Sequence, residues 1–170
     1  MPCRWFKIVG QRVGYMREGI EIEPGKVLRV LPAVEASELA DAWLEVFAKN
    51  RRGANTKAYL WHTFSANRYP SAAGKEALAQ YELQIASEYI VLSNDRDVAF
   101  VTDQRPMNCY LSDWYVFPEN FAWTMAFTHE DGWLGPYFAR HEKFSELNRE
   151  NEMKIRKARE AEVARLKGWR

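Results

Sequence analysis

The stretch "EYIVLSNDRDVAFVTDQRPMNCYLSDWYVFPENFAWTMAFTHE" (88–130) decides the fold. It contains four runs rich in β-branched and aromatic residues: "EYIVLS", "VAFVT", "WYVF" and "NFAWTMAFTHE". The links between them, "NDRD", "DQRPMN" and "PEN", have turn compositions. Strands joined by short links, with no helix between, pair antiparallel. The segment therefore predicts an antiparallel meander.

Upstream, "RWFKIVG" and "KVLRVL" within residues 4–31 predict further short strands around an "EPGK" turn at 23–26. A helix follows from about Val34 to Lys49, with Ala36, Leu39, Ala40, Trp43, Val46 and Phe47 on one face. Lys49, Arg51 and Arg52 suit the negative end of its dipole, and Gly53 can close it. "AYLWHTF" (58–64) reads as a strand and "SANRYPS" (65–71) as a loop. A second helix is expected from about Ser71, its N-cap, to Ala86, with Ala77, Leu78, Tyr81 and Ile85 as its apolar line. Beyond Ala139 the chain is charge-rich. Glu150–Lys154 and Glu152–Arg156 are helix-supporting pairs, and a broken apolar line runs through Phe144, Leu147, Ile155, Ala158 and Leu166. The expectation is one α+β domain over 1–140, with a charged C-terminal helix over 141–170 appended to it. Its single antiparallel sheet, a meander of about five strands, packs both earlier helices on one face.

Composition narrows the function classes. A chain of 170 residues with seven Trp, eight Tyr and nine Phe has ample material for one core. Its net charge of +1 gives no global case for nucleic acid or a membrane surface. The charge is uneven, however. Between Asn94 and Asp131 seven acidic residues face two arginines, whereas from Arg140 onward ten cations face six carboxylates. Cys3 and Cys109 form no CxxC pair, which removes support for zinc ribbons, redox motifs and disulfide scaffolds. With neither an apolar leader core nor a run approaching ~18 apolar residues, a cytoplasmic protein without membrane contact is expected.

The stretch with most chemistry is "FTHEDGWLGPYF" (127–138). Were 121–129 a regular strand, Phe121, Trp123, Met125, Phe127 and His129 would share one face, sending Glu130 to the other. Asp131-Gly132 is a strong two-residue hairpin signal, pairing Glu130 with Trp133 and His129 with Leu134. Gly135-Pro136 then suits an edge or bulge. His62, His129 and His141 are the only imidazoles, and none belongs to an HxH or HExxH pattern, so no metal site is expected. "HTFS" sets His62 near Ser65 without a GxSxG motif, and no glycine-rich phosphate loop occurs. No catalytic residue or cofactor is assigned on these grounds. An enzyme would have to gather His62, His129 and Glu130 into a pocket. The basic tail "KIRKAREAEVARLKGWR" carries balancing glutamates, which disfavours nucleic acid.

Through "YLWHTFS" (59–65) and "NFAWTMAFTHEDGWLGPYF" (120–138), the chain resembles a family of small bacterial proteins of unknown function. The matching positions are Trp61, His62, Phe64 and Ser65, then Trp123, Thr124, Thr128, His129 and Glu130, then Gly135, Pro136, Tyr137 and Phe138. The resemblance spans roughly residues 55–140. It implies a bacterial setting like that of immunity or accessory proteins encoded beside secreted toxins, and it transfers no catalytic role. The expected function is therefore a non-enzymatic binding protein, an immunity or inhibitor protein whose partner is a basic toxin domain. Its candidate contact residues are Asp95, Asp97, Asp113, Trp114, Asp131 and Trp133, because complementary charge speeds association and aromatic anchors supply affinity. The competing explanation is that these Asp residues simply form turns.

Overall fold

The computed structural model describes residues 19–130 and 132–168. The expected strand at 4–10, Cys3 and Asp131 lie outside the described residues. In chain order the elements are β1 (Ile22–Glu23), β2 (Val27–Leu31), α1 (Ala33–Phe47), α2 (His62–Ser65), β3 (Ala72–Ala73) and α3 (Gly74–Glu82). These are followed by β4 (Tyr89–Ser93), β5 (Ala99–Thr102), β6 (Asn108–Cys109), β7 (Trp114–Phe117), β8 (Trp123–Phe127), β9 (Tyr137–Arg140) and α4 (Phe144–Leu166). Seven strands form one antiparallel sheet in the order β2-β5-β4-β7-β8-β9-β3, and β1 pairs separately with β6. The fold is α+β with a long C-terminal helix. The sheet has seven strands rather than about five, because the short β3 and the strand after Pro136 add to it.

The reason for the layering is in β4. All of "YIVLS" is buried, so the strand is covered on both faces rather than one. Ile90 and Leu92 face a cluster with Ala36, Ala40, Trp43 and Phe47 of α1. Tyr89 and Val91 face the opposite cluster, with Ala77 and Tyr81 of α3 and with Phe144 and Leu147 of α4. The two earlier helices thus lie on opposite faces of the sheet, not on the same one. Trp43, fully buried, donates from Nε1 to Thr124 Oγ1 at 2.9 Å, which joins α1 to β8 by a satisfied polar contact.

Local chemistry explains where elements begin and end. Arg51 Nε donates to Ala48 O at 2.8 Å, the role expected of a cation at the end of α1. The expected strand at 58–64 is instead a chain of turns leading into α2. Leu60, Trp61, Thr63 and Phe64 are all buried, so the segment lacks the one-sided alternation of a half-exposed strand. Thr63 Oγ1 donates to Phe47 O at 2.8 Å, fastening α2 to the last carbonyls of α1. The helix expected over 71–86 is shorter. Ala72 and Ala73 pair with β9, Ser71 makes no cap, and α3 starts only at Gly74, whose φ is +62°. Ile85 lies past its end and is exposed. The terminal helix packs through its first turns, and Lys154 reaches Glu119 at 3.0 Å.

Thr63→Val keeps the side-chain shape but removes the donor to Phe47 O. Leaving that carbonyl without its partner is expected to cost about 1–3 kcal/mol, read as a lower denaturant midpoint with unchanged slope.

Candidate functional site

The end of β4, the start of β7 and the end of β8 meet at one end of the sheet, where Ser93 pairs with Trp114 and Trp114 with Phe127. Asp113 lies immediately before β7 and is 9% exposed. A carboxylate so buried needs donors, and three converge on it. Trp61 Nε1 donates to Oδ1 at 3.0 Å, and the His129 backbone N–H donates to the same oxygen at 3.2 Å. His129 Nδ1 lies 2.9 Å from Oδ1 and 3.0 Å from Oδ2. Because the carboxylate accepts, Nδ1 carries the proton, and Nε2 is the nitrogen presented outward. Nε2 sits 3.5 Å from Glu130 Oε1. The hydrogen bond that His129 donates to Asp113 raises the pKa of His129 above its ordinary 6.5, opposed by partial burial and reinforced by the charges of Asp113 and Glu130.

A second network fixes residues 54–62 against the same end. Asn94 Oδ1 accepts from Leu60 N at 3.0 Å and from Tyr115 Oη at 2.8 Å, while Asn94 Nδ2 donates to Ala58 O at 2.8 Å. Tyr115 Oη in turn accepts from Trp61 N at 3.1 Å, and burial pushes its phenol well above the usual range. Arg96 Nη2 donates to Thr56 O at 2.7 Å. Trp61, thereby held, stacks on Tyr59 with centroids 5.3 Å apart and on Tyr137 at 6.1 Å.

His62 and His129 converge on this aromatic patch. Both imidazoles lie against Tyr59, at 5.4 and 5.1 Å between centroids, and both contact the Trp61 ring. His62 Nδ1 donates to Asn55 O at 2.9 Å, so it too is fixed through one nitrogen. Glu130 joins the group through its contact with His129. The alternation expected for 121–129 holds across β8 but ends at Phe127. Trp123, Met125 and Phe127 face α3, whereas His129 turns to the opposite side and meets Trp61. Adjacent His129 and Glu130 therefore do meet.

The pairing of His129 with Leu134 expected beyond the Asp131-Gly132 turn is not found among the described residues. The β8–β9 pairing closes at Ala126↔Tyr137. Glu130 O accepts from Trp133 N at 3.0 Å and from Leu134 N at 2.9 Å, and Thr128 Oγ1 donates to Leu134 O. These contacts, with the pull of Asp113 on His129, replace the ladder that would pair His129 with Leu134. Gly135 makes the loop possible. Its φ is +100°, and a Cβ there would lie 2.8 Å from Thr128 Oγ1.

The expected contact residues separate. Asp95 and Asp97 are exposed in the β4–β5 turn, and Asp97 Oδ1 also accepts from Ser93 Oγ at 3.0 Å in a turn-forming contact. Trp133 is 82% exposed between β8 and β9. Trp114 is not a surface residue, since it is buried in a doubly covered strand and stacked on Phe127 at 4.1 Å. Asp113 likewise faces inward, where its oxygens are engaged. The sequence carries no sign of the parts played by Asn94 and Tyr115, which bond across 21 residues while Asn94 reaches Ala58 across 36, or of the contact between Tyr59 and His129. Among the described residues no group of three His, Cys, Asp or Glu is arranged to hold a metal ion.

A family model described as Domain of unknown function (DUF4275) matches residues 36–138. The chain belongs to that family. No curated protein and no solved structure matches it. The DUF4275 span runs from the first turn of α1 into β9, so it contains Tyr59, Trp61, Asn94, Asp113, Tyr115, His129 and Glu130. It leaves β1, β2 and α4 outside. Among the described residues no helix is long and apolar enough to cross a membrane.

Asp113→Asn replaces a doubly accepting carboxylate by an amide and should lower the His129 pKa, read from the imidazole proton shifts. The same change should cost about 1–3 kcal/mol of stability. In the parent protein the His129 contribution is fully present below its unfolded-state pKa of ~6.5 and is lost as pH rises through the higher folded-state value. Asp113→Asn should shrink that loss.

Proposed function

We propose that this protein is a non-enzymatic binding protein whose partner docks at the sheet end carrying Asp95, Asp97, Glu130 and Trp133. The observation that carries the reading is Trp133, 82% exposed on a loop tied down at its base by Thr128, His129 and Gly135. A large aromatic side chain on a fixed mount gains apolar burial on docking and loses little loop freedom. Asp95 and Asp97 share that end of the sheet and remain exposed, so a basic partner would be steered toward it. The finer form of the proposal is an immunity or inhibitor protein that neutralises a bacterial toxin with a basic domain, in keeping with the family resemblance of the 59–65 and 120–138 blocks.

A rival reading has one observation in its favour. His62, His129 and Glu130 share the Tyr59–Trp61 patch, and Asp113 orients His129 as a carboxylate orients an acid–base imidazole. Against it, Glu130 already faces Nε2, the nitrogen a substrate would need.

Affinity capture from the native organism, with the captured protein identified and its charge determined, tests the binding reading. Trp133→Ala and the paired reversal Asp95→Lys/Asp97→Lys should each weaken capture at least about tenfold, equivalent to ~1.4 kcal/mol. The reversal should also remove most of the salt dependence of the association rate. Capture that survives both changes rejects this face as the interface.

A further inference from the structure

The His129 imidazole is bracketed by carboxylates at both nitrogens, and it sits at the base of the loop that carries Trp133. We propose that Asp113, His129 and Glu130 form a pH-operated latch that sets the position of Trp133. With the ring protonated, Nδ1–H donates to Asp113 at 2.9 Å and Nε2–H points at Glu130 Oε1, 3.5 Å away. Loss of the proton leaves Nδ1–H on Asp113, where three donors fix that carboxylate. Nε2 then presents a lone pair to Glu130, and attraction becomes repulsion.

The strain falls on Glu130 because of its surroundings. Its Oε2 is buried without a hydrogen-bond partner among the described residues, and its ion pair there is with His129. A carboxylate that is partly desolvated and loses its counter-charge moves toward water. The Glu130 carbonyl accepts both the Trp133 and Leu134 amides, so movement of this residue is passed directly to Trp133.

Among the described residues, the remaining groups that face the latch do not supply a substitute cation. From residues 54–62 it meets Tyr59 and Trp61, with His62 against the same rings but committed through Nδ1 to Asn55 O. Asp113 itself lies just before β7, Tyr115 within that strand is bonded to Asn94, and from β9 comes Tyr137, whose phenol is raised by burial and by the Glu130 charge. Arg96, the nearby guanidinium, is spent on Thr56 O. The raised pKa of His129 agrees with this geometry and puts the transition above 6.5.

The latch stands whether or not Trp133 engages a partner, so its test needs none. The full chain is labelled with 5-fluorotryptophan, and the Trp133 resonance is assigned by its loss in Trp133→Phe. Its shift is followed against pH beside the His129 imidazole proton. The two should titrate with one midpoint above 6.5. Glu130→Gln removes the charge that senses Nε2 and should abolish the Trp133 response while His129 still titrates, at a lower midpoint. His62→Gln should leave both curves unchanged. A Trp133 signal that ignores pH while His129 titrates overturns the latch, as does a response that persists unchanged in Glu130→Gln.

Discussion

A carboxylate placed in a protein interior must be surrounded by donors, and Asp113 shows how much structure that requirement can organise. Its three donors come from two segments far apart in the chain. The Trp61 indole arrives from the 54–65 connection, while the His129 ring and amide arrive from the loop after β8. Each brings an aromatic or acidic neighbour with it: Tyr59 and His62 on one side, Glu130 and Trp133 on the other. The position of Asp113 is in turn set by the start of β7, whose pairing with β4 and β8 fixes the strand ends. The sheet supplies the frame, and one buried charge gathers the loops around it.

The frame itself rests on apolar burial from both sides. The four strands β4, β5, β7 and β8 have almost no exposed residue, and helices or ordered loops cover each face. Burial of ~150–250 Å² for each aromatic side chain makes this the dominant stabilising term. Tilted and edge-on contacts link Trp43 with Phe47, Phe64 and Tyr115 and continue through Phe64 to Tyr137. Inside this core the Trp43 indole is answered by Thr124. A stable double-sided sheet lets its loop end carry half-buried charges at little risk to the fold.

Legibility differed by element for identifiable reasons. The four β runs of 88–130 and helix α1 were evident because their signals are local: turn residues at the links, and a repeating apolar face. The strand reading of 58–64 failed because aromatic content suits both a strand and a buried turn. Only Asn94, Tyr115 and Phe47, distant in sequence, decide between them. Ser71 failed as a cap because Ala72 and Ala73 were drawn into pairing with β9. The Asp131-Gly132 signal pointed correctly to a change of direction, but tertiary bonds to Thr128 and His129 displaced the ladder it implied.

By itself the sequence determined the fold class, the antiparallel character of its central segment, and the resemblance to a family of unknown function. These depend on near-neighbour patterns, which the chain carries at every position. Only the tertiary structure decided which residues share the sheet end. His129 meets Trp61 and Glu130 there, Trp114 turns inward and Trp133 outward, and Asp113 becomes a hub rather than a surface acid. Strand parity could not foresee this, because it governs side chains only while the ladder lasts. Past Phe127 the direction of each side chain is set by the nearest buried group that needs a partner, and for His129 that group is Asp113.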